Sequence, residues 1–133
     1  MLAAVPMLYL WSQCRMWQLA TERPAETQES ELLALLARAG ETRFGRDHGF
    51  ASIASIDDFR KKVPLRTYDD FWRDYWKDDF PVLANCSWPG TIPYFALTSG
   101  TTTGVTKYIP CSREMLAANY RGAQDLLFHH LHG

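Results

Sequence analysis

The chain has 133 residues, of which 47% are hydrophobic and 14% aromatic, and a formal net charge of −1. A charge so near zero gives no electrostatic reason to expect a nucleic-acid partner, and the length suits one small domain with a packed aromatic core. Three widely separated cysteines predict neither a disulfide framework nor a zinc site, so a reducing cytoplasm is the expected location.

The first part of the chain is predicted to form helices, beginning with residues 7–20. The apolar run in "MLAAVPMLYLWSQCR" is too short to cross a bilayer, so we favour an amphipathic helix over a weak signal peptide and expect no membrane partner. A second helix is predicted over residues 25–40, where acids crowd the first turn and Gly40 is placed to cap the end. Its apolar stripe is Leu32, Leu35, Leu36 and Ala39. Residues 41–50 are predicted to be an irregular connection.

Two helices with capping residues are predicted next. Ser55 is placed to cap a short helix that ends before Pro64, and Thr67 is placed to cap a clearer one. Within the second helix, aromatic residues recur at the i, i+3, i+4, i+7, i+8 spacing of one helical face. This aromatic stripe consists of Tyr68, Phe71, Trp72, Tyr75 and Trp76. We interpret it as core packing rather than as a platform for stacked bases.

The last third of the sequence predicts a short β-loop-β unit and a long helix. Residues 91–99 are typical of a short buried strand, and residues 106–110 of a second strand. Ser112 is placed to cap a helix from Arg113 to about His130. The predicted fold class is therefore α/β but helix-rich. Because so few strands make a poor independent α/β domain, we expect a fragment of a larger one.

Between the two predicted strands lies "TSGTTTGVTK", residues 98–107, whose composition suits phosphate binding. Glycines let backbone N–H groups approach an anion, small hydroxyls add donors without bulk, and a lysine adds a compact positive charge. The spacing of Gly100, Gly104 and Lys107 matches neither the Walker A pattern nor a dinucleotide fingerprint, which disfavours a GTPase or an ordinary ATPase. On composition alone, a plain turn without a ligand stays the alternative.

The order of segments resembles that of a known family. An apolar strand, "TSGTT", a second glycine, a lysine and another strand follow the phosphate-binding motif of adenylate-forming enzymes. Thr103 is an extra residue, and Thr106 replaces the proline, relative to the acyl-CoA synthetase branch. The longer spacing is similar to that of the Gretchen Hagen acyl-acid–amido synthetases, an auxin-responsive family with plant members that conjugate auxin and jasmonate. "TRFGRDHGF", "IASIDDFRKKVPLRTYDDF" and "KYIPCS" keep the order of that family's N-terminal region.

This resemblance implies a ligase that uses ATP and Mg²⁺. In the family, the loop holds the β- and γ-phosphates of ATP while a small-molecule carboxylic acid attacks the α-phosphorus. An amino-acid amine then takes the acyl group from the acyl-adenylate. Carried over by position, the ATP-binding residues are Thr98, Ser99, Gly100, Thr101, Thr102, Thr103, Gly104 and Lys107. Lys107 is also carried over as the catalytic residue, because a fixed cation stabilises the charge that grows on departing pyrophosphate. We assign no metal-ligating residue.

The resemblance also places residues 1–133 in the N-terminal portion of a large adenylation domain. Family members are several times longer, so the adenine and ribose contacts, most of the acid pocket and the C-terminal domain are expected to lie outside these residues. We therefore expect the chain alone to be inactive. Two alternatives stay open. One is a non-catalytic helical interaction module that binds a partner through the aromatic stripe. The other is another phosphate-binding domain, such as a kinase-like or nucleotide-sensor domain.

The histidines and the acidic pairs are interpreted as structural. His48 is expected to be structural, and His129, His130 and His132 suit an exposed helix C-terminus better than a metal site. Capping and solvation explain the acidic pairs better than acid–base catalysis. These pairs are Asp57 with Asp58, Asp69 with Asp70, and Asp78 with Asp79.

Two arginines and one cysteine also receive structural interpretations. Arg43 and Arg46 are expected to pair with the nearby carboxylates of Glu41 and Asp47, with anion binding as the alternative. Cys111 follows the second strand and is expected to be a buried thiol.

Overall fold

The fold is given by a computed structural model that describes residues 4–99 and 104–132, with side chains from residue 7 onward. The chain divides into two compact units. The helix-pair unit comprises the described residues up to Thr27 and from Glu114 onward, and the hairpin unit runs from Gln28 to Arg113. None of the described helices combines the length and apolar character that a membrane span requires.

Two long helices form most of the helix-pair unit: α1, Ala4–Thr21, and α6, Arg113–His132. Among the described side chains of this unit, the buried ones are Ser12 and Phe128. Trp11 packs edge-on against Phe128, with ring centroids 4.9 Å apart. The two helices therefore bury little apolar surface against each other.

Polar contacts complete the packing of α1 against α6. Arg15 donates two hydrogen bonds to the Asp125 carboxylate, at 2.9 and 2.8 Å. Near the end of α6, His132 lies 2.7 Å from the Ser12 hydroxyl and 3.0 Å from the Gln13 amide nitrogen. An ion pair and a histidine network therefore add to the apolar contact between these helices.

Short helices make up the first part of the hairpin unit. In chain order the helical segments are α2, Pro24–Ala39, which begins in the helix-pair unit; α3, Arg43–Asp47; a 3-10 turn, Phe50–Ser52; α4, Ile56–Lys62; α5, Tyr68–Phe71; and a π-helical turn, Trp72–Trp76. Ser55 and Thr67 cap α4 and α5, as predicted, because each hydroxyl accepts a backbone N–H from three residues on. The π-helical turn closes when the Lys77 N–H donates to the Trp72 carbonyl at 2.9 Å.

The irregular connection predicted over residues 41–50 is wrong, because α3 and the 3-10 turn form there. The buried Thr42 hydroxyl caps α3 by accepting the Gly45 N–H at 3.0 Å. The first two backbone N–H groups of α3 donate to the carbonyls of Asn85 and Cys86, both at 2.9 Å. A helix of this length has no stability of its own, so these partners from a distant loop are what hold it.

The aromatic stripe supplies the core of the hairpin unit, as predicted. Tyr75 and Trp76 are buried, and the other three aromatic residues pack partly buried against the same cluster. This cluster also contains Leu83, Cys86 and Ile92. A base-stacking platform requires exposed ring faces, so this burial agrees with a packing role.

A second cluster forms where α2 meets the segments that follow it. Its buried members are Leu36, Ala39, Phe50 and Ile53. Leu35 shares the helical spacing of the α2 stripe but is exposed, because it lies at the edge of the face that packs. Phe44 and Trp88 pack against both clusters.

The two predicted strands pair as an antiparallel hairpin, formed by β1, Tyr94–Leu97, and β2, Tyr108–Cys111. Cys111 is buried, as predicted. The prediction that the first strand is buried is wrong, since Tyr94 and Leu97 are 51% and 66% exposed. Within β1, only Phe95 packs against the core. Helices, a hairpin and a long final helix together confirm the helix-rich α/β class.

Candidate functional site

The candidate phosphate loop, residues 98–107, joins the two strands of the hairpin. Its end residues close its base. The Thr98 N–H donates to the Lys107 carbonyl, and the Lys107 N–H donates to the Thr98 hydroxyl, both at 3.1 Å. The backbone N–H of Thr98 is therefore used by the hairpin. Four of the predicted loop residues lie outside the described residues: Gly100, Thr101, Thr102 and Thr103.

The described part of the loop after these residues is exposed. Gly104 has a φ of 71°, a left-handed conformation that favours glycine. The backbone N–H groups of Gly104, Val105 and Thr106 make no hydrogen bond to another described residue. Ser99, on the other side of the loop, is also exposed. Among the described residues, the N–H groups from Gly104 to Thr106 are therefore not used in pairing the hairpin.

The Lys107 side chain lies over an aromatic ring. Its Nζ atom is 5.0 Å from the centroid of the Tyr68 ring, which is within the range of a cation–π contact. The ion pairs within the described ranges do not involve Lys107. Residues 100–103 carry no carboxylate. The ammonium charge of Lys107 is therefore oriented by a ring and not neutralised by an acid.

Tyr68 also contacts the first residue of β2. Its phenol oxygen accepts a hydrogen bond from the Tyr108 N–H at 3.0 Å. The Tyr68 ring lies against those of Trp72 and Trp76, with centroids 6.0 and 5.9 Å away. One side chain thus contacts two successive residues where the chain leaves the loop.

The position of Tyr68 follows from the capping box at the start of α5. The Thr67 hydroxyl accepts the Asp70 N–H at 3.3 Å, and the Asp70 carboxylate accepts the Thr67 N–H at 2.9 Å. The bond from the Thr67 N–H is the largest of the causes that hold the pKa of Asp70 below its ordinary value of 3.8. Because the pKa of Asp70 is lowered in the folded state, its ionised carboxylate stabilises the fold at neutral pH. This stabilisation is lost as the pH falls through the lowered pKa.

The predicted pairs of Arg43 and Arg46 with Glu41 and Asp47 are wrong. Arg43 instead donates to two backbone carbonyls of the π-helical turn, at 2.9 and 2.7 Å, and lies 3.4 Å from the Asp79 carboxylate. Arg46 donates to the backbone carbonyl of Glu41 and not to its carboxylate. Backbone carbonyls, which a sequence pattern of charges does not indicate, are the main acceptors for both arginines.

Some of the remaining histidines and acids make structural contacts. The His48 ring lies 2.9 Å from a backbone carbonyl, and Asp58 accepts the Ala54 N–H at 3.3 Å beside the α4 cap. His129 and His130 are exposed, but the exposure predicted for His132 is wrong because α1 packs beside it. Among the residues that the structure describes, no group of three metal-binding side chains occurs.

Tyr68 is the site residue that sequence reasoning missed. Its spacing placed it correctly in the aromatic stripe, and the Thr67 cap placed it at the start of a helix. Neither pattern indicates that its hydroxyl reaches a backbone N–H 40 residues further along the chain. Only the packing of the hairpin against α5 brings these groups together.

Comparison with known proteins gives one family. A model of the GH3 family N-terminal domain matches residues 14–132. A curated relative from Arabidopsis thaliana, described as "Probable indole-3-acetic acid-amido synthetase GH3.1", is 31% identical over 99 residues. That match covers 71% of this chain and 16% of the relative. No solved structure matches the chain significantly.

Proposed function

The chain belongs to the GH3 family, and from that premise we propose that it is the N-terminal portion of an ATP-dependent acyl-acid–amido synthetase. In this proposal, the complete protein adenylates a small-molecule carboxylic acid and transfers the acyl group to an amine such as that of an amino acid. The description of the Arabidopsis relative as an amido synthetase supports this reaction class. The free thiols of all three cysteines are consistent with a cytoplasmic location.

The observation that carries the proposal is the state of Lys107. Its ammonium lies at the exit of a loop in which the N–H groups of Gly104, Val105 and Thr106 bond to no other described residue, and no described carboxylate pairs with it. A triphosphate tail requires this combination of convergent donors and a free positive charge. We assign the β- and γ-phosphates to the loop from Thr98 to Gly104 and to Lys107.

Within that assignment, these residues act by electrostatics. Lys107 and the loop N–H groups stabilise the negative charge that develops on pyrophosphate as it departs, and the ring contact with Tyr68 orients the Lys107 ammonium before the reaction. Thr98 shapes the base of the loop, since its N–H and its hydroxyl both bond to the backbone of Lys107. Lys107 is the residue that we propose as catalytic.

Mg²⁺ fits this assignment as a partner of the phosphates. Magnesium usually keeps several waters and binds through substrate phosphates with one or two protein ligands. The chemistry that it supplies is neutralisation of phosphate charge. We assign the Mg²⁺ no protein ligand.

The test is a calorimetric titration of the chain with Mg·ATP, which measures the binding affinity. We expect Lys107→Ala to weaken binding by about tenfold, because a charge-assisted hydrogen bond is lost. Lys77→Ala is the matched control, since Lys77 is an exposed lysine outside residues 98–107. Equal affinities for the native chain and Lys107→Ala would contradict the proposal and favour the non-catalytic interaction module.

A second assay concerns the chain by itself. We propose that residues 1–133 alone do not catalyse ATP–pyrophosphate exchange, because one phosphate loop supplies little of the positioning that adenylation requires. The exchange of labelled pyrophosphate into ATP measures this directly. A rate above the uncatalysed background would show that the chain is a complete adenylating unit.

A further inference from the structure

Tyr68 links the start of α5 to the exit of the loop, and we propose that it is a positioning residue for Lys107. The inference rests on the proposed function, in which Lys107 binds phosphate. Tyr68 does not reach the reacting atoms in this proposal. It acts by restricting where the Lys107 ammonium lies and how the backbone leaves the loop.

Two independent contacts carry the inference. The Tyr68 ring lies 5.0 Å from the Lys107 ammonium, and the Tyr68 hydroxyl accepts the N–H of the next residue, Tyr108, at 3.0 Å. The first contact orients the side chain of the lysine, and the second holds the backbone that carries it. A long, flexible lysine side chain loses conformational entropy when it is ordered, so prior ordering favours anion binding.

A neutral ring suits this task better than a carboxylate does. An acidic partner would neutralise the ammonium and would compete with phosphate for it. An aromatic face attracts a cation through its quadrupole and leaves its net charge unchanged. The contact with Tyr68 therefore orients Lys107 while its charge stays available to a polyanion.

Tyr68 is itself held in place by the start of α5 and by neighbouring aromatic rings. The Thr67 capping box fixes it as the first residue of α5, and its ring packs against the partly buried Trp72 and the buried Trp76. Trp72 in turn stacks on the Tyr108 ring, with centroids 6.0 Å apart and planes at 25°. The exit of the loop is thus attached to α5 by ring contacts as well as by the hydrogen bond.

The first experiment uses the ligand-free chain with isotope-labelled lysine. Ring currents from Tyr68 shift the Lys107 side-chain protons upfield. We expect Tyr68→Phe to keep this shift and Tyr68→Leu to abolish it. In both variants the Tyr108 N–H exchanges with solvent about three- to tenfold faster, because its acceptor is gone. Tyr75→Phe is the matched control, since it removes a hydroxyl from the same aromatic stripe, and that hydroxyl bonds to Asp47 and not to β2.

The second experiment measures affinity for Mg·ATP and for inorganic tripolyphosphate. We expect Tyr68→Leu to weaken both by about two- to fivefold, which corresponds to one exposed cation–π contact, and Tyr75→Phe to leave both unchanged. Equal affinity in the native chain and Tyr68→Leu, with binding about tenfold weaker in Lys107→Ala, would overturn the positioning role.

The two experiments separate the two proposals. If the native chain binds neither phosphate ligand, the proposed function fails, while the lysine resonances still decide whether Tyr68 orders Lys107. Lys107 resonances that are identical in the native chain and Tyr68→Leu overturn the positioning role whatever the titration gives. Should Tyr68→Leu fail to fold, Tyr68→Phe decides through the Tyr108 exchange rate, and an unchanged rate overturns the inference.

Discussion

The two units of this chain are stabilised by different interactions. The hairpin unit contains two buried clusters, one around Trp76 and one around Leu36. In the described part of the helix-pair unit, Phe128 is the one apolar side chain that is buried, and an ion pair between Arg15 and Asp125 joins the helices. The hairpin unit resembles the core of a small protein, whereas the helix-pair unit relies on polar contacts between two helices.

This difference indicates that the hairpin unit is the one that can hold the candidate loop in a fixed geometry. The loop from Thr98 to Lys107 begins and ends on strands that pack against the aromatic cluster, and Tyr68 of that cluster contacts its exit. A site positioned by packed side chains keeps its geometry better than one held by exposed polar contacts. The following predictions test the contrast between the units, from the largest expected effect to the smallest.

The largest effect is expected in the core of the hairpin unit. Leu83 is 0% exposed, so Leu83→Ala leaves a cavity and lowers the free energy of unfolding by about 2–5 kcal/mol. Its neighbour Val82 is 60% exposed, and Val82→Ala is expected to change stability by less than about 0.5 kcal/mol. Urea denaturation of both variants measures the difference. Equal losses would show that Leu83 does not lie in a close-packed core.

Glycine-to-alanine substitutions should change the stability of the chain in opposite directions in the two units. At Gly45 a Cβ would lie 2.1 Å from the Ala39 carbonyl oxygen, so Gly45→Ala forces the backbone apart and costs about 1–3 kcal/mol. At Gly122, in the middle of α6, a Cβ meets nothing within 4 Å, so Gly122→Ala stabilises the chain by about 0.5–1 kcal/mol. Thermal unfolding midpoints give both signs, and a shared sign would contradict the close approach at Gly45.

The cap of α5 should have an intermediate effect. Thr67→Ala removes the hydroxyl that accepts the Asp70 N–H, and we expect a loss of about 1 kcal/mol. Thr67→Ser keeps that hydroxyl and serves as the control. Because the cap holds Tyr68 in place, hydrogen exchange at the Tyr108 N–H should also accelerate in Thr67→Ala. Unchanged exchange would mean that the cap and the exit of the loop are independent.

The smallest effect is expected at the ion pair of the helix-pair unit. Hydrogen bonds from Arg15 hold the pKa of Asp125 below its ordinary value of 3.8. The folded state therefore gains stability that is present above pH 3.8 and is lost as the pH falls through the lowered pKa. Asp125→Asn should cost about 0.5–1 kcal/mol at neutral pH.

Urea denaturation at neutral pH and at pH values below 3.8 tests this pH dependence. The stabilities of the native chain and Asp125→Asn should converge on acidification. Glu26→Gln is the control, because its pair with Arg23 is exposed and contributes little at any pH. A stability difference that stays constant through the acid range would show that the Asp125 carboxylate contributes through packing instead of through its charge.

The sequence by itself determined the features that depend on near neighbours. Ser55 and Thr67 cap helices because each hydroxyl needs a partner only three residues away. The aromatic stripe lies in the core because helical periodicity brings its residues to one face. The hairpin follows from two apolar segments separated by a run of small residues, and the same order of motifs resembles that of the family to which the chain belongs.

Only the tertiary structure decided the features that depend on distant partners. Helix α3 forms because carbonyls some forty residues further along accept its first N–H groups, and β1 is exposed because only Phe95 packs inward. The contacts of Tyr68 with Lys107 and Tyr108 belong to the same class. A local pattern specifies which face of an element is apolar, but not which part of the chain arrives beside it. That choice depends on how the whole unit packs.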